Sequence, residues 1–325
     1  MKLLQPKTML KFSLLLLGTL FFVSNNIAQT GIPANSEISI IVEKNNVSGG
    51  GFQSDVTVTD DGLTIYSSAD VSGIFKSIDG GLVYHNINEG LKSPKVASLV
   101  ITPDNEDILY AGTGDKGGSG GLFRSINGGD TWELTGDGNN AQFAGNHSAT
   151  NHPVPNGHPR SNGDLIVVKN GTNTSSFTDD IVIAGTYKDG VKIFTQGGNN
   201  EASAVNPGGF VRAVAFNPDV PDYAYAAIMF WDSSLNGIYE INIEDPSDAM
   251  STLVYQTPLP EGLTVLSNGH VYGAIGENGI VKYNGTNWVL KNSGLSINNS
   301  NRQWTSVTGY MLGSNDVVYL SLIHI

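Results

Sequence analysis

The stretch Leu63–Tyr84, LTIYSSADVSGIFKSIDGGLVY, decides the fold. Its second half sets Ser77, Asp79, Gly81 and Tyr84 in the order Ser-x-Asp-x-Gly-x-x-aromatic, directly after the apolar, β-prone run Gly73–Phe75. A short carboxylate side chain accepts hydrogen bonds from the N–H groups of its own turn. Glycines take the positive-φ positions, and an aromatic anchors the returning strand on the sheet face. The stretch therefore reads as strand, tight turn, strand. The same order returns as Ser125, Asn127, Gly129 and Trp132 in SINGGDTW, with Asn in place of Asp, and two copies in phase point to a repeat architecture.

Both copies carry the Asp-box (BNR) signature. Around them each unit holds an apolar strand, a second ending in a loop, a third opening on glycine and an aromatic-bearing fourth. Gly73, Gly121, Gly190, Gly237 and Gly279 open the third strands, so the steps are 48, 69, 47 and 42 residues. A period in the forties with four short strands per unit predicts an all-β chain, a β-propeller of four-stranded blades rather than a sandwich. The fourth strand of the third unit is unreadable around Thr195–Asn200 (TQGGNN), and a sixth unit starts at Trp304–Thr308 and Val317–Tyr319. The expectation is an incomplete, C-terminally truncated propeller over residues 29–319, with about five and a half blades of an expected seven. Leu320–Ile325 (LSLIHI) reads as a non-native tail.

Composition agrees with strands and turns: 40 Gly, 13 Pro and only 14% charged residues. A net charge of -13 argues against a nucleic-acid partner, because phosphate would be repelled. Residues 1–28 place Lys2, Lys7 and Lys11 ahead of the apolar run Phe12–Val23, which suits a signal-peptide core and is short for a bilayer. Cleavage near Ala28, no membrane span afterwards, and a secreted or bacterial cell-envelope location are expected. The chain has no cysteine, so no disulfide supports the fold, and no cofactor is expected.

In a blade counted from the ring axis, the second-to-third-strand loops and the blade-to-blade loops open on one face. The Ser77 and Ser125 turns open on the other, so Asp79 and Asn127 are structural. The functional face collects Asp70 in SADVSG, Asp115 in TGDKGG, Lys188 and Asp189 in TYKDG, Trp231 and Asp232 in FWDSS, and Glu277 in GENG. Singly, each acid fits a solvated turn. Trp231 beside Asp232 offers the flat apolar surface and acceptor that a sugar subsite needs, or else packs on its own blade. The insertion Thr135–Asn162 opens on the same face with His147, His152, His158 and Arg160. Its histidines include no close pair, so a substrate-lining loop is expected there and no metal site.

Gly49–Ser77, GGGFQSDVTVTDDGLTIYSSADVSGIFKS, resembles the opening of the glycoside hydrolase family 74 xyloglucanases, where a GGGGxVxG segment precedes a strand and a TDVGGxYR-like loop. Pro159–Val168, PRSNGDLIVV, is similar to that family's GRSIGERLAV segment, and the resemblance extends from Gly49 to about Tyr283. It implies two tandem propellers with a polysaccharide or oligosaccharide cleft between them, each giving one catalytic Asp, and hydrolysis with inversion. On that resemblance Asp70 is the general base, and from the residues of this face Trp231, Asp232, Arg160 and Asp115 are the candidate substrate contacts. The acid, about 6.5–9.5 Å away, would come from a second propeller of the same chain, and this fragment alone would be inactive. Ala69 and Ser72 replace a hydroxyl and a glycine of the family's loop, and a serine there is expected to resist positive φ. The alternative is a non-catalytic propeller that binds a glycan or a protein. A sialidase needs three converging arginines, which Arg124, Arg160, Arg212 and Arg302 supply poorly, because one of them sits on a third strand.

Overall fold

The computed structural model describes residues 53–114, 120–143, 163–173, 175–216, 220–295 and 302–324. These residues form five four-stranded antiparallel sheets and one two-stranded sheet. The first holds β1 (Gln53–Val58), β2 (Ile65–Ala69), β3 (Gly73–Ser77) and β4 (His85–Asn86); the second β5 (Val96–Thr102), β6 (Asn105–Thr113), β7 (Gly121–Ser125) and β8 (Glu133–Leu134). The third holds β9 (Ile166–Lys169), β10 (Ile181–Gly185), β11 (Val191–Thr195) and β12 (Asn200–Val205); the fourth β13 (Phe210–Phe216), β14 (Tyr223–Met229), β15 (Gly237–Asn242) and β16 (Met250–Gln256). The fifth holds β17 (Gly262–Val265), β18 (Val271–Ala274), β19 (Ile280–Tyr283) and β20 (Trp288–Leu290), and the sixth β21 (Arg302–Leu312) and β22 (Asn315–His324). The first strands of successive sheets lie against one another, so the sheets are blades of a β-propeller arranged around an axis. Among the described residues no helix is long and apolar enough to cross a membrane.

Each blade buries both faces, which explains why all of β2 and β7 is buried. The core is a set of layers between neighbours. Tyr66, Ile74, Leu99 and Phe123 fill the first seam, and Tyr110, Leu165, Ile183 and Phe194 the seam of the second and third blades. Ala213, Ile238, Leu263 and Val281 join the fourth blade to the fifth. Leu266, Tyr272, Ile280 and Val307 join the fifth to the sixth. At about 1.5–3 kcal/mol per buried large apolar side chain, these layers are the main stabilising term.

The turns have the expected chemistry. Ser77 Oγ donates to Asp79 Oδ1 at 2.7 Å and accepts the Gly81 N–H at 2.9 Å, while Asp79 Oδ1 takes the N–H groups of Leu82 and Val83, both at 3.0 Å. Gly80 and Gly81 supply the positive φ, 72° and 92°. Ser125 and Asn127 repeat the arrangement, with Gly129 N on Ser125 Oγ and Thr131 N on Asn127 Oδ1. Trp132 then fastens one blade to the previous one, its Nε1 donating to Ile87 O at 2.8 Å.

Boundaries differ from the sequence reading for identifiable reasons. β4 covers only His85–Asn86, because the Val83 N–H is already committed to Asp79. The missing strand of the third unit is β12, reached through a turn in which Gln196, Gly197 and Gly198 all have positive φ. The insertion does not start as an open loop: Thr135, Ala141 and Phe143 are buried around a short 3-10 turn at Gly138–Asn140. β1 starts at Gln53, and its first half carries Asp55. β22 stays paired with β21 through His324. Its Asp316 carboxylate accepts from Asn268 Nδ2, Tyr272 Oη and Lys282 Nζ and lies 2.8 Å from His270 Nδ1. Burial opposes its ionisation, yet these donors, Lys282 foremost, hold the carboxyl well below the usual range.

Because the Ser77 hydroxyl is fully buried, Ser77→Ala is expected to destabilise the protein by about 1–3 kcal/mol in denaturant unfolding, leaving the Gly81 N–H without its acceptor. Leu82→Ser, on the exposed tip of the same turn, should be silent. Equal effects would show that the turn's hydrogen bonds contribute nothing.

Candidate functional site

Asp70 opens the β2–β3 turn and is buried, 8% exposed. Asn88 Oδ1 accepts the Ile74 N–H at 2.7 Å and Asn88 Nδ2 donates to Ser72 O at 3.0 Å, so the end of the blade braces the loop. The positive φ falls on Gly73 (85°) and not on Ser72, so the serine does not meet the backbone obstacle expected from the sequence. Ala69 pairs with Gln53, which sets Asp70 at the same end of the blade as Asp55.

Three aromatic rings meet on this face across the third and fourth blades. Tyr187 and Phe210 contact edge to face with centroids 5.2 Å apart, and Phe210 and Trp231 do the same at 5.9 Å. Phe210 is buried and holds Trp231, which stays 65% exposed. Asp232 acts locally: its Oδ1 accepts from Ser234 Oγ at 2.7 Å and Ser234 N at 3.0 Å, capping the 3-10 turn Ser233–Leu235. Those two bonds, the hydroxyl first, hold its carboxyl below the ordinary range. Asp115, Arg160 and the three insertion histidines lie outside the described residues. Among the described residues no three His, Cys, Asp or Glu side chains gather in one cluster.

Sequence reasoning missed the polar belt at the axis. Asp55 Oδ2 accepts from Leu99 N at 2.9 Å and Ser98 Oγ at 3.1 Å, both on the next blade. Ser98 Oγ accepts the Leu165 N–H at 3.0 Å, and Asp164 O takes the Val214 N–H at 2.6 Å. Arg212 Nη2 and Nε then meet Glu261 Oε2 at 2.5 and 3.1 Å, both side chains buried. One chain of contacts thus crosses five blades. The signal in the sequence was a charged residue within or just before an otherwise apolar first strand, as in FVRAVAF and GDLIVV.

Burial pushes the Asp55 carboxyl up, with the Leu99, Ser98 and Val56 bonds opposing. Burial and then the Asp55 charge push Asp164 up. Asp55 is nevertheless half-buried and Asp164 exposed by accessible surface. Side chains at a ring axis are enclosed by protein yet reached by water. The enclosure sets the direction of both shifts, and water at Asp164 limits their size.

Two measurements probe this belt. A folded-state carboxyl raised above its unfolded value adds stability that is complete below the unfolded pKa and is lost as pH rises through the folded one. Thermal stability should therefore increase from about pH 8 to about pH 5, and Asp164→Asn should flatten the slope; an unchanged slope in the variant would remove the pair as its source. Separately, Glu261→Ala should cost about 3–5 kcal/mol by stranding Arg212, with Arg212→Met/Glu261→Leu recovering most of it. A double variant as unstable as the single one would contradict that account.

No family model matches the chain, and no curated protein matches it. Solved structures do. An ancestral GH74 enzyme superposes with TM-score 0.53 at 20% identity, over 80% of this chain and 33% of that one. The GH74 xyloglucanase from Xanthomonas campestris gives 0.54 at 17% identity, over 74% and 38%. YCF48 from Cyanidioschyzon merolae gives 0.48 at 14% identity, over 80% and 79%. The chain spans about a third of the length of the GH74 enzymes it matches, and at these identities the likeness is one of fold: a β-propeller.

Proposed function

We propose that this chain is the first-propeller part of a secreted, xyloglucanase-like β-glucan hydrolase that inverts the anomeric centre. The observation that carries the proposal is the aromatic surface of Tyr187, Phe210 and exposed Trp231 on the face to which the Asp70 loop belongs. An exposed indole held edge-on by a buried ring is a rigid platform for a pyranose face. Asp70 is the general base, while Trp231, Asp232, Arg160 and Asp115 contact the glucan. The acid belongs to a second propeller of the same chain, across the cleft and far enough away to admit the attacking water. In this reading the Ser77 and Ser125 turns are Asp boxes and the N-terminal 28 residues are a signal peptide.

A second reading, a propeller that binds a glycan without cleaving it, draws support from the burial of Asp70 and from the capping role of Asp232. Calorimetry with xyloglucan oligosaccharides and hydrolysis assays of the protein joined to its second propeller separate the two. The hydrolase reading expects Trp231→Ala to weaken binding about tenfold, the loss of one stacking contact. Asp70→Ala should abolish hydrolysis with binding nearly intact. Binding without turnover would establish the second reading, and wild-type binding by the Trp231 variant would sink both.

A further inference from the structure

A cleft opens between the second and third blades on the opposite face, where the Ser77 and Ser125 turns lie. It is bounded by the β5–β6 turn and by described residues of the connection from β9 to β10, and its lining includes Thr102, Asp104, Asn105, Asn170, Asn173 and Asp180. The lining is rich in oxygen, and two of its groups lack compensation. Asn170 Oδ1 is closed to solvent and accepts no hydrogen bond from any described residue. Asp180 is only 4% exposed, and among the described residues the sole donor to its carboxylate is the Gly171 N–H, at 3.0 Å on Oδ1. Arg124, the cation that acts on it, is aimed elsewhere: its Nη1 donates to Gly197 O, its Nη2 pairs with Glu133, and its guanidinium lies 3.3 Å from the Phe177 ring centroid. A buried carbonyl oxygen without a donor and a buried carboxylate with one are costly, unless something positive satisfies them together.

We propose that this cleft binds a hard divalent cation of the calcium class, through the Asp104 and Asp180 carboxylates and Asn170 Oδ1, with water completing the shell. The donor set selects the class. Carboxylate and amide oxygens suit calcium, whose coordination is flexible and tolerates mixed carbonyl and water ligands, whereas sulfur or imidazole ligands would be required by softer metals. Burial raises the Asp180 carboxyl, with the Gly171 bond opposing and the Asp179 and Asp104 charges adding to the rise, so the pocket is electrostatically short of positive charge. Hydrogen bonds tie the two ends of the connection together. Asp179 Oδ2 accepts from Thr172 N, Thr172 Oγ1 and Asn173 N, which keeps the loop's first half beside Asp180. Bound there, the ion ties the loop of the third blade to the first turn of the second. Seam rigidity then depends on calcium.

The test uses the full chain after chelation, titrated with calcium chloride or magnesium chloride at constant ionic strength, with thermal unfolding and calorimetry as readouts. Calcium should raise Tm saturably with a dissociation constant of about 10⁻⁴–10⁻³ M, as for extracellular calcium modules, and magnesium should act more weakly. Asp180→Asn should abolish the response. Because that residue is buried, Asp104→Asn, on the exposed rim, is measured beside it and should weaken calcium about tenfold. No rise in Tm, an equal rise with magnesium, or an unchanged calcium response in both variants would overturn the proposal and leave a cleft that holds water.

Discussion

The structure depends on how the first strand of each blade hands its backbone groups to the next blade. A strand at the edge of a sheet exposes a row of N–H and C=O groups. At the axis of a propeller these edges face one another, too far apart for a ladder and too enclosed to leave to bulk water. The chain meets this need with side chains and one backbone carbonyl. Leu99 N–H goes to Asp55, Leu165 N–H to Ser98 and Val214 N–H to Asp164 O, while the buried Arg212–Glu261 pair closes the next step. Carboxylates are efficient acceptors for several N–H groups, but enclosing them raises their pKa. The belt therefore orders the ring while keeping protonatable acids at its centre.

Register explains why the belt has room. β1, β5, β13 and β21 each break pairing once near the start, between Gln53 and Asp55, Val96 and Ser98, Val211 and Ala213, and Trp304 and Ser306. Such an irregularity turns a side chain away from the pleat. The break passes over Arg212 in the fourth blade and over Ser54 in the first, whose Oγ donates to Val96 O at 2.5 Å. A recurring bulge at one level is thus the local device that aims polar groups at a neighbouring blade.

This division between local and long-range causes is what made half of the molecule legible from its sequence. The turns at Ser77 and Ser125 could be read because their partners lie within four residues, and the strand period followed from the glycines that open third strands. Asp55, Asp164, Arg212 and Glu261 could not be read, because their partners lie on other blades and no spacing records the contact. The same holds for Phe143: it follows a Gly- and Asn-rich stretch that looks like loop, yet it is buried against Gly112 and the core of the second seam. At Trp231 the residue type suggested a platform, and the ring stands edge-on against Phe210 of its own blade with most of its surface exposed.

The two faces consequently carry different constraints. On the Ser77 face, short turns satisfy their own backbone and bridge blades through Trp132 and Asp316, so a change there acts on stability. On the opposite face, the rigid belt fixes the starts of the first strands, and the loops above them can vary in length without disturbing the seams; the one long step between third strands, 69 residues against 42–48 elsewhere, falls on a blade-to-blade connection there. A propeller fold hosts many chemistries for this reason. Whichever activity that face performs, the loop that carries the buried Asp70 is braced by Asn88 through the Ser72 and Ile74 backbone. A carboxylate on a loop braced in this way keeps its position while the longer connections on the same face vary.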